Sequence, residues 1–290
     1  LCAPGCELAG DVYCVDIGLN LAHSVDPSLA HSAAQLLEQT DVDDWRPRKG
    51  RSDAKWDRGH VAIVANGGAA VLAAHGAFRS GAGLVTLLAK KDLWKNFHGL
   101  WPEVILAEPE ALDPKRHDVV VMGPGLGTAE SERILGLWEN FPGAVVADAD
   151  ALTVLATHPH QTPSDLVRVI TPHAAEAARL LNCERKTIES NRPMAASKLQ
   201  GFGVVVLKGP HTIIGPERLW FNPTGSHRLA TAGTGDVLAG MIGGLVAQNV
   251  PAPQAAAIAV WDHGLAGQRM PSDGTASDLI DALRSVDLRA

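Results

Sequence analysis

From His60 onward, short uninterrupted apolar runs alternate with longer segments of helical period. The runs are HVAIVA, GLVTLLA, EVILAE, DVVVMG, GAVVAD, VRVIT and GVVVLKG. A run with no polar alternation reads as a strand buried on both faces. Regular alternation of such strands with helices requires a mainly parallel sheet covered on both sides, an α/β fold. The intervening segments AAVLAAHGAFRSG (ending at Gly81), KDLWKNFHGL, AESERILGLWENF, DALTVLATH, HAAEAARLLN and MAASKLQG supply the helices, and HTIIG and RLWFN add short β pieces. Val237–Trp261 carries no charge and is long enough to span a membrane. Gln248, Asn249, Pro251, Pro253 and Gln254 divide it, so two buried helices joined by a turn are expected instead.

The chain has 290 residues, 46% of them hydrophobic and 20% charged, which suits one large domain or one domain with an appendage. A net charge of −7 without a long Lys/Arg block argues against nucleic acid as a partner. A bound nucleotide remains compatible, because backbone N–H groups hold phosphates without net positive charge. Cys2, Cys6, Cys14 and Cys183 lack the paired spacing of a zinc site, and they are expected as reduced thiols of a cytoplasmic protein. No secretory signal pattern is visible. Before the alternating region, residues 1–20, with the strand-like GDVYCVDIGLN, read as the tail of a preceding domain or a docking strand. Residues 21–56 read as a linker: SLAHSAAQLLEQ could form one helix, and Thr40–Asp57 is polar and irregular. The main domain is expected over 57–290.

In a parallel sheet, ligands bind beyond the carboxyl ends of the strands. Five polar or glycine-rich turns fall there. GPGLG carries Gly123, Gly125 and Gly127, and ADADAL carries Asp148 and Asp150. TPHAAE holds Thr171, Pro172, His173 and Glu176, while KGPHT holds Lys208, Gly209, Pro210, His211 and Thr212. GPGLG is not a GxGxxG fingerprint, and no GxxxxGK[ST] occurs. Asp148 and Asp150 either meet ligand or cap the helix that follows. Glu176, three residues after His173, either caps or does chemistry. Lys208, leaving a buried strand, needs an anion or solvent. His75, His263 and Met241 read as packing residues.

The fifth turn is LATAGTGDVLAG, Leu229 to Gly240. Gly233 and Gly235 permit positive φ, so successive N–H groups can converge on one anion. Asp236 at the same helix start would repel a phosphate, so anion binding alone gives no reason for it. A base meeting a hydroxyl during phosphoryl transfer needs that position. The helix dipole is expected to keep Asp236 ionised and weakly basic, and a loose transition state asks mainly for positioning.

In these motifs, from about Asp57 to the C-terminus, the chain resembles the ADP-dependent NAD(P)H-hydrate dehydratases. These are the carbohydrate-kinase-like domains of nicotinamide-nucleotide repair enzymes. GAAVLAAHGAFRSGAGLV, GPGLG, DADAL, TPHAAEAARLL, VVLKGPHT, NPTG, LATAGTGDVLAG and ASDLI occur in that family's order. GTGD alone is shared across the ribokinase-like superfamily, and GDVYCVDIGLN is similar to the tail of the epimerase domain often fused upstream.

The resemblance implies a ribokinase-like three-layer sandwich and an ADP-dependent lyase of metabolite repair. It would phosphorylate the C6 hydroxyl of the S epimer of hydrated NADH or NADPH; loss of phosphate would restore NAD(P)H and leave AMP. Carried over by motif, Asp236 is the base, and the Gly233–Gly235 N–H groups form the anion hole. Lys208, Gly209, Pro210, His211, Thr212 and Gly235 hold the nucleotide. Ala69, Gly125, His173 and Asp236 contact the hydrated dinucleotide. Mg²⁺ would accompany the phosphates, and the protein would form a homo-oligomer, a tetramer in the family.

The chain departs from the family in a shorter VANGGAAV loop, in TPHAAE for TPHPGE, and in Ala54 where His is usual. Two other readings stay open. One is a kinase of a small hydroxylated vitamin precursor, although thiazole kinases carry Cys where this chain has Asp236. The other is a non-catalytic nucleotide-binding relic.

Overall fold

The computed structural model describes residues 34–48, 50–158, 162–215 and 218–286. The chain order begins with β1 (Gln35–Leu36), α1 (Gln39–Trp45), β2 (His60–Val64), α2 (Gly67–Arg79), β3 (Leu84–Leu88), β4 (Ile105–Ala107) and β5 (Val119–Met122). It continues with α3 (Ser131–Asn140), β6 (Ala144–Ala147), α4 (Asp150–Thr157), β7 (Arg168–Ile170), α5 (Ala174–Leu180), α6 (Arg185–Ser190) and α7 (Arg192–Lys198). It closes with β8 (Val204–Leu207), β9 (Ile213–Gly215), β10 (Trp220–Phe221), α8 (Thr234–Ala247), α9 (Ala252–Arg269) and α10 (Ala276–Ala282).

The strands form one ten-stranded sheet in the order β1-β10-β9-β8-β7-β6-β5-β2-β3-β4. Its body is parallel; β9 alone runs against its neighbours β8 and β10. Each apolar run feeds both faces. Val61 and Ile63 enter one core with Val119 and Val121, whereas Ala62 and Val64 enter the other with Val120 and Met122. The first core is covered by α1, α2, α8, α9 and α10, the second by α3 to α7. The result is the expected three-layer α/β sandwich.

The α2–α8 contact explains the small residues of both helices. A Cβ on Gly76 would collide with the Val237 carbonyl, one on Gly240 with the Ala73 carbonyl, and one on Gly244 with the Ala77 carbonyl and the Ser80 hydroxyl. The two backbones touch there, which fixes the start of α8 relative to β2.

β2 lies between β3 and β5, so the chain leaves it first to one side and then to the other. That reversal opens a crevice at the carboxyl ends of β2 and β5.

Some expectations need correction. Among the described residues, the stretch read as a linker is partly folded onto the domain. β1 pairs with β10, Leu37 and Val42 are fully buried, and Arg46 forms a two-point ion pair with Asp262 of α9. The same pairing puts Gln35 and Leu36 in a strand, not in a helix over SLAHSAAQLLEQ. The KDLWKNFHGL segment is a 3-10 helix over Lys91–Asn96, and α6 was not anticipated. GDVYCVDIGLN and Cys2, Cys6 and Cys14 lie outside the described residues. Cys183 is a free thiol.

Candidate active site

Three of the predicted turns meet through Lys208. Emerging from β8, it places Nζ 2.7 Å from Asp148 Oδ1 and 3.9 Å from Glu176 Oε2. Asp148 follows β6 with 1% of its surface exposed, and the Lys208 backbone N–H donates to the Pro172 carbonyl at 2.8 Å. Burial by itself would lower the Lys208 ammonium. Asp148 and Glu176, together with the hydrogen bond to Asp148, outweigh it and hold the group above its ordinary value.

The start of α8 closes on this pair: a Cβ at Gly235 would stand 3.3 Å from Lys208 Nζ and 3.8 Å from Asp148 Oδ2. Asp236, the next residue, is half-buried and its carboxyl is pushed up to about 6. Desolvation is the main cause, followed by the Asp148 charge; Lys208 opposes, and Asp150 and Glu176 add to the rise. This corrects the expectation of a weak base held ionised by the helix dipole. The dipole contributes ~0.3–1 kcal/mol, up to ~2 when partly buried, and burial among three carboxylates exceeds it.

Of the two glycines expected to permit positive φ, Gly233 adopts it and Gly235 does not. Gly233 is the N-cap of α8 with φ +89°, and no side chain caps it. A Cβ there would also press on Leu72. Gly235 sits inside the first turn and is absent from the positive-φ residues. Its role is to leave space beside Lys208. Thr234 is tied on both polar groups: its hydroxyl donates to the Leu229 carbonyl (2.8 Å) and the Thr231 carbonyl (3.0 Å), and its own carbonyl lies 2.8 Å from His263 Nε2.

Beside the cradle lies a cavity of about 510 Å³ bounded by Lys208–Thr212, by Asn222–His227 and by Thr234 and Gly235. All five residues of KGPHT therefore line one space with Gly235. His211 holds a left-handed backbone, φ +49°, which costs a residue with a Cβ about 1–3 kcal/mol. Behind this loop Arg192 of α7 donates to the carbonyls of Leu207 (3.0 Å) and Lys208 (3.3 Å).

The expected dinucleotide contacts fall at the neighbouring crevice. Gly125, φ +62°, approaches so closely that its Cβ would be 2.7 Å from the Asn66 carbonyl and 3.5 Å from the Ala69 methyl, so Ala69 and Gly125 share one surface. Gly127 donates its N–H to Asp150 Oδ2 at 2.8 Å, fastening the GPGLG turn to DADAL. Between the two aspartates Ala149 has φ 51° and ψ −116°. His173 and Glu176 do form a capping box: His173 Nδ1 accepts from Ala175 and Glu176 N–H groups, and Glu176 Oε2 accepts the His173 N–H at 2.8 Å. The His173 ring stays half exposed at the site edge, so capping leaves it accessible.

Arg192, Asn222 and Thr224 were not assigned from sequence, and His263 was read there as packing. NPTG was the available signal for two of them. Asn222 donates to Thr224, whose hydroxyl lies 3.0 Å from the Trp261 carbonyl of α9. His75 stacks on Trp101, and Met241 and His263 are buried, as expected of packing residues; His263 also bonds the Thr234 carbonyl.

Among the described residues no group of three or more His, Cys, Asp or Glu side chains is arranged to hold a metal ion. Asp148 and Glu176 already face Lys208. The donor set suits a divalent cation carried by phosphates and water, not one caged by protein.

A mainly parallel ten-stranded sheet with helices on both faces, and a cavity bounded by Lys208–Thr212 and the first turn of α8, define a ribokinase-like fold. The family model described as NAD(P)H-hydrate dehydratase matches residues 63–286, and the chain belongs to that family. It is 35% identical to the bifunctional NAD(P)H-hydrate repair enzyme of Coxiella burnetii, the match covering 86% of this chain and 54% of that protein. It is 37% identical to the enzyme of the same description from Escherichia coli, over 97% of this chain and 56% of that one. The chain thus spans about half the length of the curated relatives it matches. The ADP/ATP-dependent NAD(P)H-hydrate dehydratase of Bacillus subtilis, co-crystallised with ATP and Mg²⁺, superposes with a TM-score of 0.77 at 26% identity, covering 87% of this chain and 97% of that one. A hydroxyethylthiazole kinase from Pyrococcus horikoshii, at 19% identity and a TM-score of 0.57, shares the fold alone.

Proposed function

We propose that this chain carries out the ADP-dependent dehydration of the S epimer of hydrated NADH and NADPH. The single observation that carries the reading is the Asp236 carboxyl, raised to about 6, at the opening of a glycine cradle beside the Lys208–Asp148 pair. Asp236 takes the proton of the C6 hydroxyl as that oxygen bonds to the β-phosphorus of ADP and the bond to the bridging oxygen breaks, leaving AMP. The N–H groups of Gly233–Gly235 face the charge on the transferring phosphoryl group. The ring nitrogen lone pair then expels phosphate, and loss of a proton from C5 restores the reduced ring. The oxygen of the added water leaves in the phosphate.

Lys208 to Thr212 and Gly235 hold the nucleotide; Ala69, Gly125 and His173 face the dinucleotide. Mg²⁺ would neutralise the phosphates, and Asp148, Asp150 and Glu176 would be the carboxylates that orient its water shell. Similarity to the Bacillus subtilis enzyme supports the nucleotide and Mg²⁺ together.

A homo-oligomer, a tetramer by the family resemblance, and a cytoplasmic setting belong to the same reading. Among the described residues no helix is long and apolar enough to cross a membrane. The likeness of residues 10–20 to an epimerase tail supports placing residues 1–20 in an epimerase unit. The docking of β1 and α1 supports starting the dehydratase domain before residue 57.

Incubating the protein with hydrated NADH and either ADP or ATP, while following the reduced-ring absorbance and AMP, tests the proposal. Absorbance that does not return with either nucleotide refutes it.

A further inference from the structure

The first turn of α8 is held by a side chain to which the chemistry above gives no task. His263 lies on α9 with 8% of its surface exposed and borders the same cavity as Thr234 and Gly235. Its Nε2 is 2.8 Å from the Thr234 carbonyl oxygen. A carbonyl only accepts, so Nε2 carries the ring proton. Thr234 stands between Gly233 and Gly235, and its hydroxyl is anchored to the Leu229 and Thr231 carbonyls. The loop therefore fixes one polar group of Thr234 and α9 fixes the other. The same helix holds the facing wall: Gly264 leaves room for Thr224, Gly267 for Leu229, and the Ser226 hydroxyl donates to the Gly267 carbonyl at 2.9 Å.

We propose that His263 is a positioning residue for phosphoryl transfer: its Nε2–H bond to the Thr234 carbonyl sets the first turn of α8. That turn determines where the Gly235 N–H and the Asp236 carboxylate point. The inference rests on the dehydratase reading of the cradle. Packing alone does not require an imidazole, since an aromatic hydrocarbon fills a buried site without a hydrogen-bonding requirement. Burial, with Lys208 adding to it, lowers the His263 ring to about 4 against the opposing Thr234 bond. The ring is therefore a neutral donor at neutral pH and adds no positive charge beside Asp236.

The test compares His263→Phe, which keeps ring volume without the N–H, with His263→Gln, whose amide reaches as far as Nε2. A misplacement of about 1 Å at a reacting group costs about 10²-fold in rate. His263→Phe is expected to lose kcat by about that factor, with the KM for ADP changed far less, and to shift the acid limb of the pH–rate profile. His263→Gln is expected to recover most of the rate and the wild-type limb. Crystal structures of both variants read the cause without turnover: the Gly235 nitrogen moves in Phe and returns in Gln. A first turn left in place by His263→Phe, or equal losses in both variants with the acid limb unmoved, overturns the inference. Failure of the wild-type protein to convert hydrated NADH overturns the proposed function instead, and the crystallographic comparison still decides the role of His263.

Discussion

Replacing Asp236 by Asn separates stability from catalysis, and the structure sets the size of both effects. Burial and the neighbouring carboxylates lift this carboxyl from an ordinary 3.8 to about 6. A rise of about two units corresponds to about 3 kcal/mol of preference for the protonated form in the folded state. The folded pKa lies above the unfolded one, so stability falls as pH rises from 3.8 to about 6 and is flat beyond. Above pH 6 the fold carries an ionised Asp236 at that cost. Asp236→Asn is therefore expected to stabilise the protein by up to about 3 kcal/mol at pH 8, several degrees in Tm, with the gain vanishing toward pH 4. Turnover falls by about 10²–10⁴ in the same variant, as for a positioned acid–base group. The kcat/KM of the wild type is expected to show an acid limb near 6 from Asp236, and the residual rate of the variant to lack it. Denaturant titrations at pH 8, 6 and 4, run beside the pH–rate profile, measure both. A variant less stable than wild type at pH 8, or one retaining the acid limb, refutes the reasoning.

Gly235→Ala brings a methyl to 3.3 Å from Lys208 Nζ and 3.8 Å from Asp148 Oδ2, so it should cut turnover by about 10²-fold by displacing that pair. Alanine's better helix propensity, about 1 kcal/mol, offsets part of the crowding and leaves Tm little changed. Gly240→Ala drives a methyl into the Ala73 carbonyl, so melting curves should show a loss of about 1–3 kcal/mol with kcat per folded molecule unchanged. Lys208→Ala strands a buried Asp148 and should destabilise by about 3–5 kcal/mol; separate titrations should find ADP weakened far more than the hydrated dinucleotide. Asp148→Asn removes the largest charge raising Asp236, so its acid limb should move below 6 in the pH–rate profile.

The central strands β5, β6 and β8 were legible because every residue in them is buried, which leaves an uninterrupted apolar run. At the edge the signal fades. β1 pairs through two residues, of which Leu36 is exposed, and so carries no pattern. Arg168 opens β7 yet is buried, satisfied by the carbonyls of Trp138, Phe141 and Gly143, which come from a distant turn. At the proposed site, the settings of Asp236, Lys208 and Gly233 were readable because they are local: a carboxylate at a helix start, a cation after a buried strand, a glycine cap. Arg192 and His263 act through carbonyls on other elements, and nothing adjacent in sequence announces such a partner. The basicity of Asp236 failed for the same reason. The dipole of its own helix is visible in sequence, but the charges of Asp148 and Glu176, 88 and 60 residues away, are not.

Which carboxylate Lys208 joins decides what kind of site this is. Had the ammonium paired directly with Asp236, the base would be pinned in its ionised form with little affinity for a proton. Lys208 bonds Asp148 instead, at 2.7 Å, and approaches Glu176 second. Asp236 receives only its longer-range attraction, which desolvation and the Asp148 charge exceed. Gly235 makes this arrangement fit, since a side chain there would occupy the space beside both members of the pair. The same lysine begins the loop that lines the cavity proposed for the nucleotide, and Arg192 holds the carbonyl of that residue from behind. Holding that loop and setting the Asp236 carboxyl thus both involve the Lys208–Asp148 ion pair. A change at Lys208 alters both, whereas a change at Asp236 alters one.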